Sequence, residues 1–117
     1  MPGRLTTHVL DTAQGCPARG VAIELVRVGE GFGVLRSVHT NADGRTDQPL
    51  LEGADLRVGT YELRFSIGDY FARQPVHVDD PPFLDVVPVR VGIADAGVHY
   101  HVPLLASPWA YSTYRGS

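Results

Sequence analysis

The chain has a single cysteine among its 117 residues, which excludes an intrachain disulfide. Cys16 lies in Gly15-Cys16-Pro17-Ala18, a turn-like setting with no activating base beside it. It reads as a small residue, not a nucleophile. No apolar stretch approaches the roughly 20 residues that span a bilayer. The segment Met1 to His8 lacks the apolar core of a secretory signal, which predicts a cytoplasmic protein. Charge of one sign is also scarce. The net charge is −3 and like charges do not cluster, so the basic stripe that a phosphate backbone requires is missing and nucleic acid is not an expected partner. Internal repeats, low-complexity tracts and linkers are absent, which predicts one domain over residues 1–117.

What remains is a globular composition, 44% hydrophobic and 20% charged, with strand signals along its length. Leu5 to Asp11 alternates over a β-favouring run, with Thr6, His8 and Leu10 on one face and Leu5, Thr7 and Val9 on the other. Val21 to Val28 and Val34 to Thr40 follow, joined through Glu30-Gly31-Phe32-Gly33. Asn41-Ala42-Asp43-Gly44 is a turn, because Asp-Gly supplies the positive φ such turns demand, and Arg45 is fixed directly beyond it. Asp47 to Val58 has no period and reads as a loop. Thr60 to Ile67 is the cleanest strand, with Tyr61, Leu63, Phe65 and Ile67 inward. Asp69 to Gln74 reads as one or two helical turns capped by Asp69. Leu84 to Val91 holds Pro88, which predicts an edge strand or a bulge. The last two strands turn at Ser107-Pro108. About eight short strands and one short helix predict an all-β, two-sheet antiparallel sandwich.

Five histidines stand out, two of them in His99-Tyr100-His101. Val98, Tyr100, Val102 and Leu104 form an apolar face, so His99 and His101 point outward. On the last strand Trp109 and Tyr111 read as the core pair, and Ser112 and Tyr114 as outward. If the first, penultimate and last strands are neighbours in one sheet, histidines on the first and penultimate strands face one space. Two imidazoles suit water activation near neutral pH, since an ordinary pKa of about 6.5 permits both uptake and release of a proton. Arg45 and Arg115 offer forked donors to an anionic or carbonyl-rich planar molecule. His-x-His on a strand also has metal-ligand spacing, but no cysteine or carboxylate stands close to complete a site, so no metal or cofactor is expected. His39 and His77 read as surface. The end of the chain concentrates a phenol, a guanidinium and a carboxylate in Tyr114-Arg115-Gly116-Ser117, which predicts a tail that is placed rather than frayed.

Several of these stretches together resemble the 5-hydroxyisourate hydrolases, the transthyretin-related proteins of purine breakdown. They are Leu5 to Thr12, Gly15-Cys16-Pro17-Ala18, Thr40 to Arg45, His99 to Leu105 with Ser107-Pro108, and the terminal Tyr114-Arg115-Gly116-Ser117. The resemblance runs from about residue 4 to the end. The terminal tetrapeptide is its most specific element, because it separates the hydrolases from the hormone-carrying transthyretins. Trp109 departs from the tyrosine often found at that position.

The resemblance implies a prealbumin-like sandwich assembled as a homotetramer, a dimer of dimers with active sites in the channel between dimers. It implies hydrolysis of the N1–C6 amide of 5-hydroxyisourate to 2-oxo-4-hydroxy-4-carboxy-5-ureidoimidazoline, with no metal. The family's catalytic positions fall on His8, Arg45, His101 and Ser117, and its substrate contacts on His8, Arg45, Tyr114 and Arg115. Whether His8 or His101 is the base on the water stays open, as does whether the tail serves its own or a neighbouring subunit's site. A non-enzymatic small-ligand carrier is the alternative and predicts an apolar channel. A structural adhesion module would not require the terminal motif.

Overall fold

The computed structural model describes residues 2–29, 31 and 33–117. Nine strands occur among them: β1 (Arg4–Asp11), β2 (Cys16–Pro17), β3 (Ala22–Val28), β4 (Gly33–His39), β5 (Leu51–Glu52), β6 (Gly59–Ser66), β7 (Val86–Ile93), β8 (His99–Ala106) and β9 (Tyr111–Thr113). One helix, α1 (Ile67–Ala72), follows β6. Of the glycine-rich connection between β3 and β4, Glu30 and Phe32 lie outside the described residues. The strands form two sheets, one in the order β2-β1-β8-β9 with β5 also on β1, the other β4-β3-β6-β7. All ladders are antiparallel except β1 with β8, which run parallel. Among the described residues no helix is long and apolar enough to cross a membrane.

Period-two alternation builds the core between the sheets. Leu5, Val9 and Leu104 come from the first sheet, and Ile23, Leu25, Tyr61, Leu63 and Phe65 from the second, all essentially without solvent exposure. Tyr100 and Val102 join them, while Val98 stays exposed just ahead of β8. The polar groups inside this layer are partnered. Thr7 Oγ1 donates to Val102 O at 2.7 Å, tying β1 to β8 from the core side. Buried Asp11 accepts from Tyr70 Oη at 2.7 Å and from Gln14, which docks α1 against the end of β1. Burial, and then that hydrogen bond, push the Tyr70 phenol pKa well up.

Pro88 sits on β7, an edge strand of its sheet, so its missing N–H is lost at no cost to the ladder. Three expectations are corrected. The helix begins at Ile67 with Ser66 at the N-cap position, and Asp69 lies inside the first turn, where a carboxylate suits the positive end of the helix. The 47–58 segment contains β5 and a 3-10 turn, Gly53–Asp55, whose elements are too short to show a period. Trp109 and Tyr111 are not a core pair. They are 53% and 45% exposed, because β9 is a three-residue edge strand lying beyond the cover of the second sheet.

On the outer face of β6, Glu62 is buried beneath two guanidinium groups. Arg64 Nε donates to it at 2.7 Å, and Arg90 Nη2, from β7, at 3.1 Å. The Arg64 hydrogen bond, opposed by burial and aided by Arg90, holds the carboxyl below its ordinary value of 4.5. The unfolded chain therefore takes up a proton below pH 4.5 that the folded chain refuses, and this contribution to stability is lost as pH falls through that range. Glu62→Gln is expected to lower Tm by a few degrees at pH 7, with the difference from wild type shrinking below pH 4.5 in thermal melts.

Candidate active site

The parallel pairing of β1 and β8 sets Arg4 beside His99, Thr6 beside His101 and His8 beside Pro103. Residues at even positions of β1 and odd positions of β8 thus share the outer face of the first sheet. Thr6 Oγ1 stands 2.8 Å from His99 Nε2 and 2.8 Å from His101 Nδ1. The two rings are 6.3 Å apart between centroids.

Arg45 arrives from the 41–45 turn. Asn41 Oδ1 accepts from the backbone N–H of Asp43 and of Arg45, and Gly44 N–H donates to Asn41 O. Gly44 has φ +74° and its carbonyl accepts from Val9 N–H at 2.8 Å. A Cβ at Gly44 would lie 2.4 Å from Val9 O, so only glycine lets the turn dock on β1. The docked turn forms a bridge between Arg45 and His8. His8 Nε2 lies 2.9 Å from Asp43 O. A carbonyl only accepts, so Nε2 carries the hydrogen and Nδ1 of neutral His8 holds the lone pair.

The tail beyond β9 closes the other side. Gly116 N–H donates to His101 O at 2.8 Å. A Cβ at Gly116 would sit 2.6 Å from His101 Cδ2, so the tail backbone lies directly against that imidazole. The chain end is placed, as its chemistry predicts. Thr6, Arg45, Gln48, His99, His101 and Ser117 line one open cleft of about 400 Å³. His101 is half-buried in it. Burial first, then the charge of Arg45, then His99 and His8, push its pKa below the ordinary 6.5, so it is neutral at pH 7.

Of the site residues expected from sequence, Arg45, His101 and Ser117 meet in this cleft, and His8 adjoins it through its bridge to Arg45. Tyr114 and Arg115 do not. Arg115 stacks over the Tyr100 ring at 4.3 Å, and with the exposed Tyr114 it lines an adjoining hollow of about 310 Å³, which His101 also lines. Residues alternate sides in an extended tail, and Gly116 is the one that meets His101. Sequence reasoning passed over Thr6 and the 46–49 loop as site residues. Thr6 was legible from its place two residues before His8 on the same face, whereas the loop carries no periodic signal.

A transthyretin-type two-sheet sandwich bearing histidines and an arginine on one outer face is the class that this fold and cleft define. The HIUase/Transthyretin family model matches residues 5–116, and the chain belongs to that family. It is 62% identical over 116 residues to 5-hydroxyisourate hydrolase 2 of Rhizobium meliloti (strain 1021), covering 98% of this chain and 97% of the relative. Among solved structures it is similar to an (S)-allantoin synthase, with TM-score 0.95 and 48% identity, covering 99% of this chain and 44% of the synthase. Transthyretin from Sparus aurata shares the fold at TM-score 0.85 and 26% identity, with coverage of 97% and 96%.

Because Arg45 is the second cause of the depression at His101, removing its charge should act on that pKa. An NMR titration of the His101 imidazole is expected to give a midpoint below 6.5 in the wild type and a higher one, moved toward 6.5, in Arg45→Ala. The same midpoint in both proteins would mean that Arg45 is too well screened to act on the ring.

Proposed function

We propose that this chain is a 5-hydroxyisourate hydrolase, a cyclic amidohydrolase that opens the N1–C6 amide of its purine-derived substrate. The observation that carries the reading is the convergence of His101, Arg45 and Ser117 in one cleft, with His8 held against Arg45. A neutral imidazole takes a proton from water as the oxygen adds to C6. Arg45 donates to the substrate oxygens and to the charge that develops on the C6 oxygen. The C6–N1 bond then breaks, N1 leaves with a proton, and C6 stays on the remaining ring as a carboxyl group that ionises to the carboxylate. His101, neutral at pH 7, is suited to be the base and then to give that proton to N1, and His8, whose Nε2–H is committed to Asp43 O, to orient the water through the lone pair on Nδ1. The product is 2-oxo-4-hydroxy-4-carboxy-5-ureidoimidazoline.

A carrier of small aromatic ligands is the second reading, favoured by the shared fold with transthyretin. The polar lining of the cleft and the much higher identity to a hydrolase favour the enzyme. Ultraviolet decay of freshly generated 5-hydroxyisourate separates the two. The enzyme is expected to accelerate decay, and His8→Ala and His101→Ala to slow turnover by about 10² or more while staying folded. Acceleration unchanged in either variant would remove that histidine from the site.

The assembly we propose is a homotetramer, a dimer of dimers. Trp109, Tyr111 and Tyr114 are all exposed on or beside β9, an edge strand of its sheet, where apolar rings and an open strand edge suit a second copy. Tyr114 and Arg115, which line the adjoining hollow and not the cleft itself, then serve substrate binding in a neighbouring subunit. Light scattering is expected to report about four times 12.7 kDa. Deleting residues 114–117 is expected to leave a folded protein, since Tyr114, Arg115 and Ser117 are exposed, but to remove most activity. A truncated protein with full turnover would confine the site to His8, Arg45 and His101.

A further inference from the structure

We infer that Thr6 is a positioning residue that couples His99 to His101 and fixes which nitrogen of His101 is left to act as a base. The inference rests on the hydrolase reading for its consequence in turnover, and on the outer-face geometry for the coupling itself.

A threonine hydroxyl has one hydrogen to donate and lone pairs to accept with. Thr6 Oγ1 stands 2.8 Å from a ring nitrogen of each histidine, and among the described residues it has no other hydrogen-bond partner. Two accepting nitrogens cannot share one hydroxyl hydrogen at that distance. The hydroxyl hydrogen has no other acceptor among the described residues, so with both rings neutral it goes to one ring, and the other ring donates to a lone pair of Oγ1. The tautomers of His99 and His101 are therefore linked through a single atom.

Arg45 decides the direction. Thr6 engages Nδ1 of His101, so Nε2 is the nitrogen left to meet a molecule in the cleft that Arg45 also lines. A guanidinium nearby favours a lone pair on that nitrogen over an N–H. Nδ1 of His101 then carries the hydrogen and donates to Thr6. Thr6 donates to Nε2 of His99, and exposed His99 keeps its hydrogen on Nδ1. When His101 takes a proton at Nε2, its Nδ1–H bond to Thr6 is unchanged, so the ring need not turn during the step. Gly116, against the Cδ2 edge, holds the ring from the other side.

The test is Thr6→Val, which keeps the shape and removes the hydroxyl, with Thr6→Ser as the conservative variant. Nitrogen-15 NMR of the imidazoles is expected to show the Nδ1–H form of His101 in the wild type and in Thr6→Ser. In Thr6→Val it is expected to show a shift toward the Nε2–H form. Turnover of 5-hydroxyisourate is expected to fall about 10–100-fold in kcat with KM within about twofold, part of what a positioned base contributes, and to recover in Thr6→Ser. Should Thr6→Val not fold, His99→Ala serves instead. It frees the hydroxyl hydrogen to turn toward His101 Nδ1 and is expected to shift the same tautomer the same way. An unchanged His101 tautomer, or a wild-type kcat in a variant whose tautomer has shifted, overturns the inference. A wild-type protein that leaves 5-hydroxyisourate untouched refutes the hydrolase reading instead, and the NMR comparison still decides the coupling.

Discussion

The site depends on the register of one ladder, the parallel pairing of β1 with β8. Side chains along a strand alternate sides, so a slip of one residue would exchange the faces of a whole strand. Here a slip would drive Thr6 and His8 into the core and expose Leu5 and Val9. The core holds the register through those apolar residues and through the Thr7 hydroxyl on Val102 O. Burial on one face thereby fixes the chemistry on the other. No residue of the cleft needs to be held by the substrate for Thr6, His99 and His101 to meet.

Two glycines complete the site from outside the ladder, and each works by what it leaves out. Gly44 lets the turn carrying Arg45 press its backbone onto β1, and Gly116 lets the tail press its backbone onto the His101 ring. Each approach is locked by a main-chain hydrogen bond, Val9 N–H to Gly44 O and Gly116 N–H to His101 O, both at 2.8 Å. Groups from four distant parts of the chain are thus set by backbone geometry and not by flexible side-chain contacts, the arrangement expected where orientation supplies part of the rate.

The sequence made the alternating strands, the turn before Arg45, the edge position of Pro88 and the outward histidines legible, because each follows from a local rule. Neighbourhood was harder to read. That β1 lies beside β8, and parallel to it, is set by packing across nearly the whole chain, and only the family resemblance implied that His8, Arg45 and His101 belong together. Trp109 and Tyr111 misled because size and apolarity indicate burial without saying by what. On an edge strand the cover comes from another sheet or another molecule. The tail was harder to place, because alternation gives Gly116 to His101 and Arg115 to the ring of Tyr100, and sequence does not say which side meets the cleft. Thr6 was placed on the right face but passed over, since a hydroxyl gains its meaning only from two acceptors that sequence does not bring together.

The transthyretin-type sandwich is common to carrier and enzyme names, so the fold does not choose between them. The choice lies in the electrostatics of one outer face. In the proposed reaction Arg45 attracts the oxygens of the substrate, and the same charge, added to burial, disfavours a proton on His101. A lowered pKa makes the imidazole a weaker base but keeps it unprotonated at neutral pH, when the task is to take a proton from water. Lining the cleft with aliphatic groups would remove both effects together. It would leave a smooth pocket that can hold a ring and has no means of opening one.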